Sequence, residues 1–367
     1  MKLSDTVLKY EERVVFALRD LYGAYGYAPF RMSRFEEYDL YVRNKAFLVS
    51  DSVITFTDTD GKLMALKPDV TLSIVKNCRP APGSVEKLYY DENVFRVSQG
   101  THAFREIRQV GLECIGTPDV TATAEVVRLA AESLAVIDPA YVLDVSHLGV
   151  VDAVISPLGI GDAARAEVLE CLGSKNPHGI LGALAAEGIG EEQAAPLLAL
   201  ITEAGEPSAV LPRLSSVLAG NTAAEAALAE LSAILAALGD AACRIRIDFS
   251  VIHDMQYYNG TVFRGFVPGV ASGILSGGQY DRLLRGLGQA EGAVGFAVYL
   301  DLLDSRREPP SALDSDVFLL YDEKDPPAAV AAAADALRRE GARVRTGRIL
   351  PEGWRAGRTV TLPEVMK

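Results

Sequence analysis

Polar residues on separate segments of the chain have the composition of a pocket for a free amino acid. Such a ligand needs acceptors for its ammonium group, donors for its carboxylate and buried partners for a polar side chain. Suitable groups are supplied by Asp69, Gln109, Glu113, Tyr257 and Tyr258. We therefore predict that these segments meet at one amino-acid site.

Each of these residues taken alone also has an ordinary structural explanation. Asp69 suits the cap of a helix that starts at Val70, and Tyr257 and Tyr258 suit the core of a strand. Gly277-Gly278 suits a turn. The order and spacing of the segments together favour a binding site over these separate explanations.

Two long strands must position the acidic part of this site. Phe95-Arg96 and, after a short loop, residues 104–116 predict an antiparallel pair. In that pair Arg96, Gln109 and Glu113 project toward a common pocket.

The remaining pattern predicts helices and strands on either side of this pair. A helix is expected over residues 6–22, with Ser4 as its cap and Gly23 and Gly26 at its end. The other predicted elements are strands at 47–49, 53–56, 87–90 and 141–145, a helix at 121–135, a strand at 244–249, and strand character from Tyr257 to Phe266 around a turn at Asn259-Gly260.

Composition divides the chain into a sheet domain, a helical insertion and a small C-terminal module. Residues 150–241 are dominated by Ala, Leu and Glu, which indicates inserted helices. A charged, Pro-containing linker at 306–310 precedes one short α/β unit. The predicted fold class is α+β, with an antiparallel sheet flanked by helices. The predicted domains are 1–149 and 242–306 for the sheet domain, 150–241 for the insertion and 312–367 for the module.

Charge and hydropathy exclude two classes of partner. The formal net charge of −13 opposes tight binding of a phosphate backbone, which depends on clustered Lys and Arg. Acidic residues interrupt the apolar stretches before they reach the length of a membrane span, and the N-terminus lacks the apolar core of a signal peptide. We expect a cytoplasmic protein that binds neither nucleic acid nor membrane.

The cysteines and histidines are scattered along the chain. No two cysteines have the two-residue spacing that zinc and redox sites prefer. Reduced and mostly buried thiols are expected, and no metal site, cofactor or Cys/His nucleophilic pair is predicted. The cysteines are Cys78, Cys114, Cys171 and Cys243.

Residues 1 to about 305 resemble the class II aminoacyl-tRNA synthetases, and among them the histidyl enzyme. Lys67-Pro68-Asp69-Val70-Thr71 resembles the family's Arg-Pro-Glu-x-Thr run, with Asp for Glu keeping the charge. Phe95-Arg96 with Gln109-x-x-x-Glu113 resembles its second motif. Tyr257-Tyr258-x-Gly260-Thr261-Val262-Phe263 resembles its histidine-specific segment, and Gly277-Gly278-x-Tyr280-Asp281 with Gly295-Phe296-Ala297 resembles its last motif.

The resemblance implies the class II synthetase-like fold and a histidine pocket. It implies that Asp69, Gln109 and Glu113 bind the histidine ammonium or imidazole, assisted by Thr71. It also implies that Arg96 faces the carboxylate and that Tyr258 and Tyr280 line the side-chain end. Tyr257 is a weaker candidate because neighbouring strand residues point to opposite faces.

Two arginines of the synthetases are absent from the matching positions. His253 stands where the histidyl enzymes have an arginine, and Leu302 stands where the last motif ends in one. Each lost preorganised donor costs about 100- to 1,000-fold in rate, about 3–4 kcal/mol. The loop 97–103 also lacks the Arg/Pro/Gln-rich character that closes over ATP. We infer a histidine pocket without adenylation chemistry and predict no catalytic residue.

The chain is therefore identified as similar to the regulatory subunits of ATP phosphoribosyltransferase, the noncatalytic paralogues of histidyl-tRNA synthetase. This resemblance implies a hetero-oligomer with the short-form catalytic subunit, which acts in the first step of histidine biosynthesis. It also implies L-histidine as the feedback ligand and a homodimer within the larger assembly. The C-terminal module resembles the start of the synthetases' anticodon-binding domain, at about half its length.

Two other functions stay open on the sequence alone. One is an active histidyl-tRNA synthetase with unusual motifs, which histidine-dependent exchange of pyrophosphate into ATP would reveal. The other is a paralogue that binds a different amino acid or a protein partner. The shorter carboxylate at Asp69 keeps that second alternative open.

Overall fold

The computed structural model describes most of the chain in two compact units. These units are Met1–Arg306 and Arg307–Lys367. The described residues are 8–44, 53–98, 101–252, 257–287, 292–306 and 313–366.

The elements of both units follow in chain order. The first unit begins with α1 (Tyr10–Ala24), β1 (Ala28–Pro29), β2 (Phe35–Glu37), α2 (Tyr38–Arg43), β3 (Thr55–Thr57), β4 (Leu63–Leu66), α3 (Thr71–Asn77), β5 (Val85–Val97), β6 (Phe104–Gly116), α4 (Val120–Ile137) and β7 (Val142–His147). It continues with α5 (Leu148–Ile155), α6 (Asp162–Gly173), α7 (Pro177–Ala186), α8 (Glu191–Thr202), α9 (Pro207–Val217), α10 (Thr222–Ala237), β8 (Ile245–Ile247), β9 (Thr261–Phe266), β10 (Leu275–Gln279), α11 (Asp281–Gly286) and β11 (Gly292–Tyr299). The second unit contains β12 (Ser315–Leu320), α12 (Pro327–Arg339), β13 (Val344–Gly347), β14 (Ala356–Thr361) and α13 (Leu362–Val365).

A mixed sheet of eight strands, in the order β1-β5-β6-β11-β10-β9-β7-β8, organises the first unit. Its inner pairs are antiparallel, as predicted, whereas β1–β5 and β7–β8 are parallel. A parallel pair needs a long crossover connection. The chain between β7 and β8 passes through helices α5 to α10, which supply that connection. The antiparallel sheet of the prediction is thus confirmed for the inner strands, and the pair at each edge is parallel.

Helices α1 and α4 cover one face of this sheet. Val14, Leu18 and Tyr22 recur at four-residue spacing on α1 and are buried, and the Tyr22 hydroxyl lies 3.0 Å from the Ser133 hydroxyl of α4. Asp119 caps α4 by accepting a hydrogen bond from the Ala122 N–H at 2.8 Å. Because these helices fill one face, the opposite face of the central strands is left for a site.

The predicted first helix is present with shifted ends. It spans Tyr10–Ala24, and the chain leaves it through Gly26, whose φ of +81° suits glycine. Ser4 and the predicted strand at 47–49 lie outside the described residues.

The predicted hairpin at Asn259-Gly260 is wrong. The segment from Tyr257 to Gly260 is not a strand, and β9 starts only at Thr261. The Asn259 N–H donates to the Gln279 carbonyl at 3.0 Å, and the Gly260 carbonyl accepts from the Leu148 N–H at 2.9 Å. These bonds tie the segment to β10 and α5, and residues 257–260, which the structure describes, form no strand that could pair with β9 in a hairpin.

Two further predictions concern the burial of the cysteines and the length of the apolar helices. All four cysteines are free, but Cys171 is half-buried and Cys243 is exposed, so only two of the four are buried. Within the described part of the chain, no helix has both the length and the apolar character needed to cross a bilayer.

The second unit is a parallel three-stranded sheet with the order β13-β12-β14. Leu319 of β12 packs against Val330, Ala333 and Ala334 of α12 and against Leu362 of α13. Three strands and two helices thus form this short α/β unit.

Two glycine substitutions test the packing of the first unit. A Cβ at Gly277 would lie 2.4 Å from the Phe296 Cβ, whereas nothing lies within 4 Å of a Cβ at Gly182 on α7. We expect Gly277→Ala to lower the free energy of unfolding by about 1–3 kcal/mol through overpacking. Gly182→Ala should raise it by about 0.5–1 kcal/mol. Urea unfolding measures both, and equal effects would contradict the described packing.

Candidate functional site

The alternation of side chains along β6 decides which residues face the site. Val110, Leu112 and Cys114 belong to the core beneath α1 and α4. Gln109 and Glu113 therefore point to the opposite face of the sheet. Both are buried there, with 4% and 2% exposure.

The structure brings all eight predicted residues to one small cavity on this face. The space that the centre of a water molecule can reach is about 50 Å³, a few times the roughly 10–15 Å³ that one water needs. The cavity therefore suits a small polar molecule. The predicted residues that line it are Asp69, Thr71, Arg96, Gln109, Glu113, Tyr257, Tyr258 and Tyr280.

Glu113 lies at the centre of the hydrogen bonding in this cavity. The Thr71 hydroxyl donates to one carboxyl oxygen at 2.8 Å, and the Tyr280 hydroxyl donates to the other. Burial, with a smaller contribution from the charge of nearby Asp69, raises the pKa of Glu113 to about 8 against the lowering effect of the two hydroxyls. The carboxyl group is therefore largely neutral at pH 7.

Asp69 serves the backbone and the cavity together. Its carboxylate accepts a hydrogen bond from the Leu72 N–H at 2.9 Å, which caps the first turn of α3. Burial raises its pKa, while this bond and the charge of Arg96 act in the opposite direction. The ordinary explanation of Asp69 is correct, and the same side chain also lines the cavity.

Arg96 and Gln109 reach the cavity from paired strands. The Arg96 Nε donates to the Pro68 carbonyl at 3.0 Å, which anchors the guanidinium to the segment that carries Asp69. Gln109 lies on β6 directly opposite Tyr299 of β11. The cavity therefore contains two buried carboxyl groups and one guanidinium.

Three tyrosines form the aromatic wall of the cavity. The ring of Tyr257 lies 4.7 Å from that of Tyr258 and 5.5 Å from that of Tyr280, measured between centroids. Tyr257 was ranked below Tyr258 because strand neighbours point to opposite faces. That ranking is wrong, since neither residue is in a strand and both line the cavity.

Several lining residues were not predicted, among them Tyr90, Ser276, Gly295 and Tyr299. Gly295 faces Glu113 across the β6–β11 pair, and a Cβ there would lie 1.8 Å from a Glu113 carboxyl oxygen. Glycine is therefore required at position 295 for Glu113 to occupy its place. Only the strand register reveals this requirement.

Comparisons with known proteins give the same organisation. Residues 3–303 match the family model described as histidyl-tRNA synthetase. An ATP phosphoribosyltransferase regulatory subunit of Symbiobacterium thermophilum is 30% identical over 304 residues, which are 79% of this chain and 75% of that protein. The chain belongs to this family, on the branch of the regulatory subunits.

Solved structures of the family share the fold. One is titled as an ATP phosphoribosyltransferase regulatory subunit/histidyl-tRNA synthetase from Bacillus halodurans, with a TM-score of 0.77, 22% identity and coverage of 96% of this chain and 93% of that one. Another is a HisG:HisZ complex of ATP phosphoribosyl transferase from Thermotoga maritima, with a TM-score of 0.63, 18% identity and coverage of 79% and 97%. The expected class II histidyl-tRNA synthetase-like fold is confirmed.

Of the two positions at which the synthetases of the family carry arginine, the structure describes only one. His253 lies outside the described residues. Leu302 lines a larger cavity beside the small one, where it presents an apolar side chain.

The pH dependence of stability tests the burial of Glu113. Its pKa of about 8 in the folded chain exceeds its ordinary value of 4.5, so the folded state binds more protons between these pH values. Stability should therefore fall as pH rises from about 5 through 8. Glu113→Gln keeps the acceptor oxygen and removes the titration, so its unfolding free energy should fall less over this range, by an amount on the order of a few kcal/mol. Parallel pH profiles for the two proteins would contradict the buried, neutral carboxyl group.

Proposed function

We propose that the chain is the noncatalytic regulatory subunit of a cytoplasmic ATP phosphoribosyltransferase complex. It binds L-histidine in the small cavity, and catalysis resides in a short-form phosphoribosyltransferase partner. The regulatory-subunit relatives support the assignment of partner and pathway. The cavity supports the assignment of ligand.

The observation that carries the proposal is the burial of Glu113, at 2% exposure, in a small polar cavity where its pKa is raised to about 8. A neutral carboxyl group offers one O–H donor and free acceptor sites, and a neutral imidazole offers one N–H donor and one acceptor nitrogen. Each group can therefore serve the other as hydrogen-bond donor or as acceptor. A hydrocarbon side chain in the same place would leave Glu113 without a ligand partner, at a cost of about 1–3 kcal/mol.

The other lining groups complement the backbone of a free amino acid. Asp69 and Gln109 provide acceptors for the ammonium group, and Thr71 stands beside Glu113. Arg96 provides the guanidinium that faces the carboxylate. Tyr257, Tyr258 and Tyr280 enclose the side-chain end with aromatic surface.

The proposal of a noncatalytic chain depends on the missing cations. Adenylation needs positive groups preorganised around the phosphate under attack. Leu302 supplies none at its position, and His253 stands in the sequence where the other arginine would be. A regulatory role then requires that histidine bind two conformations of the assembly with different affinity. We propose that the chain is a homodimer within that assembly.

Titration calorimetry with L-histidine tests the ligand. We expect saturable binding to the full chain, weakened at least about tenfold by Glu113→Ala or Asp69→Asn, because the first removes a polar partner of the ligand and the second an acidic one. The matched control is Glu167→Gln, which changes an exposed glutamate of α6 and should bind like wild type. Equal histidine affinity in all four proteins would refute the assignment of the pocket, and tighter binding of another amino acid would favour the second alternative.

Two activity assays test whether catalysis resides in the partner subunit and regulation in this chain. The purified chain should show no histidine-dependent exchange of pyrophosphate into ATP, and such exchange would establish the active synthetase instead. Co-purified with a short-form phosphoribosyltransferase, the chain should make that partner's activity sensitive to histidine. Glu113→Ala in the complex should reduce this sensitivity while the partner's uninhibited activity is kept.

A further inference from the structure

A cleft lies between helix α6 of the insertion and the β8 edge of the eight-stranded sheet. The space that the centre of a water molecule can reach in it is about 720 Å³. Pockets for small organic ligands measure about 300–1,000 Å³, so this cleft has the size of such a pocket. Among the residues that the structure describes, it shares none with the small cavity. We call it the α6 cleft, and its charged lining includes Asp144, Lys175, Arg246, Asp248 and Arg264.

Three charged side chains of the α6 cleft stand in a row across neighbouring strands. Asp144 of β7 is the register partner of Arg264 on β9 and of Arg246 on β8. The Nε and Nη2 of Arg246 donate to the two carboxylate oxygens of Asp144, at 2.9 and 3.1 Å. Arg264 contacts the Phe266 ring, 5.6 Å from its centroid, and forms no hydrogen bond or ion pair with any described residue. The row therefore contains one guanidinium whose donors are unused.

Lys175 adds a second cation from a backbone conformation that favours glycine. Its φ is +54°, in the left-handed region, and it directly follows Ser174 at the C-terminal end of α6. Glycine is the usual residue at such a position, because a Cβ is strained there. The Lys175 ammonium reaches across the α6 cleft and donates to Asp248 at 2.6 Å. The chain thus accepts backbone strain where it places this cation.

Two of the three acids that line the α6 cleft have their oxygens occupied. Asp144 is bound by Arg246, and Asp248 also accepts hydrogen bonds from the Ser250 N–H and hydroxyl, at 3.0 and 2.6 Å. Burial acts to raise the pKa of Asp248, but the bonds from Lys175 and Ser250 outweigh it and hold the pKa below its ordinary value. The third acid, Glu170, is exposed to solvent on α6. The cleft therefore offers unused donors while its less exposed acceptors are taken.

Apolar side chains line the rest of the α6 cleft. They are Leu169 of α6, Val251 and Ile252 after β8, and Phe266 of β9. A bare inorganic anion would leave this surface in contact with water. An anion attached to an apolar body would cover the surface and gain free energy from its burial.

We propose that the α6 cleft binds a small organic anion through the unused N–H groups of Arg264 and Lys175. A guanidinium with free donors pairs with a carboxylate or phosphate in a bidentate manner. The apolar or aromatic body of the ligand lies against Leu169, Ile252 and Phe266. The anionic group is either a carboxylate or a phosphate monoester, and the shared chemistry is one compact anionic group on an apolar body.

Titration calorimetry of the full chain with phenyl phosphate and with benzoate tests the site. We expect saturable binding of at least one probe, weakened at least about fivefold by Arg264→Gln and by Lys175→Asn. Asparagine tolerates the left-handed backbone, so the second variant removes the cation without adding strain. Tighter binding of phenyl phosphate identifies a phosphate monoester, and tighter binding of benzoate identifies a carboxylate. Inorganic phosphate should bind more weakly than phenyl phosphate, because it has no apolar body.

The matched control is Arg105→Gln, since Arg105 lines the larger cavity beside the small one and does not line the α6 cleft. This variant should bind the probes like wild type. Glu170→Gln should bind them as tightly or more tightly, because it removes a negative charge from the lining. Urea unfolding of each variant verifies that it is folded.

The absence of saturable binding of either probe, or equal affinity in wild type and Lys175→Asn, would overturn the proposal. So would an equal loss of affinity in Arg105→Gln, or displacement of the probe by L-histidine, because either result places the probe in a different cavity. Weaker probe binding in Glu170→Gln would point to a zwitterionic ligand and refute the organic anion. A chain that binds the probes but not histidine would keep this site and lose the proposed histidine pocket.

Discussion

The burial of the Glu113 carboxyl group is the constraint on which the site depends. An acidic side chain with 2% exposure in the middle of a sheet is tolerated only if its oxygens have partners and if it can stay neutral. Thr71 and Tyr280 supply the partners from two different segments, and Gly295 leaves the space on the neighbouring strand. The small cavity exists because these separate parts of the chain meet at one carboxyl group.

The two cavities on this face of the sheet differ in the side chains that line them. The small cavity holds acids, an amide and tyrosines, which are groups that recognise an amino acid. The adjoining larger cavity holds guanidiniums but an apolar Leu302 where the family's synthetases place an arginine. We propose that the chain has kept the amino-acid side of a fold that binds two substrates in the synthetases. In our proposal, this chain binds histidine without activating it, and the enzymatic activity that histidine regulates resides in a partner subunit.

Features that depend on neighbouring residues could be predicted from the sequence. Features that depend on pairing between distant segments could not. The strand pair that carries Arg96 and Glu113, the capping role of Asp69 and the first helix follow from alternation, spacing and caps, which act over a few residues. The parallel edge strands, the path of Tyr257 into β9 and the role of Gly295 depend on register between distant segments.

The central claim is that a cavity shaped around Glu113 receives histidine. A crystal structure of the chain grown with saturating L-histidine tests it most directly. The account predicts density for one histidine, with an imidazole nitrogen or the ammonium group within hydrogen-bonding distance of Glu113 and the carboxylate toward Arg96. A cavity filled only by the protein's own tyrosines under the same conditions would contradict it.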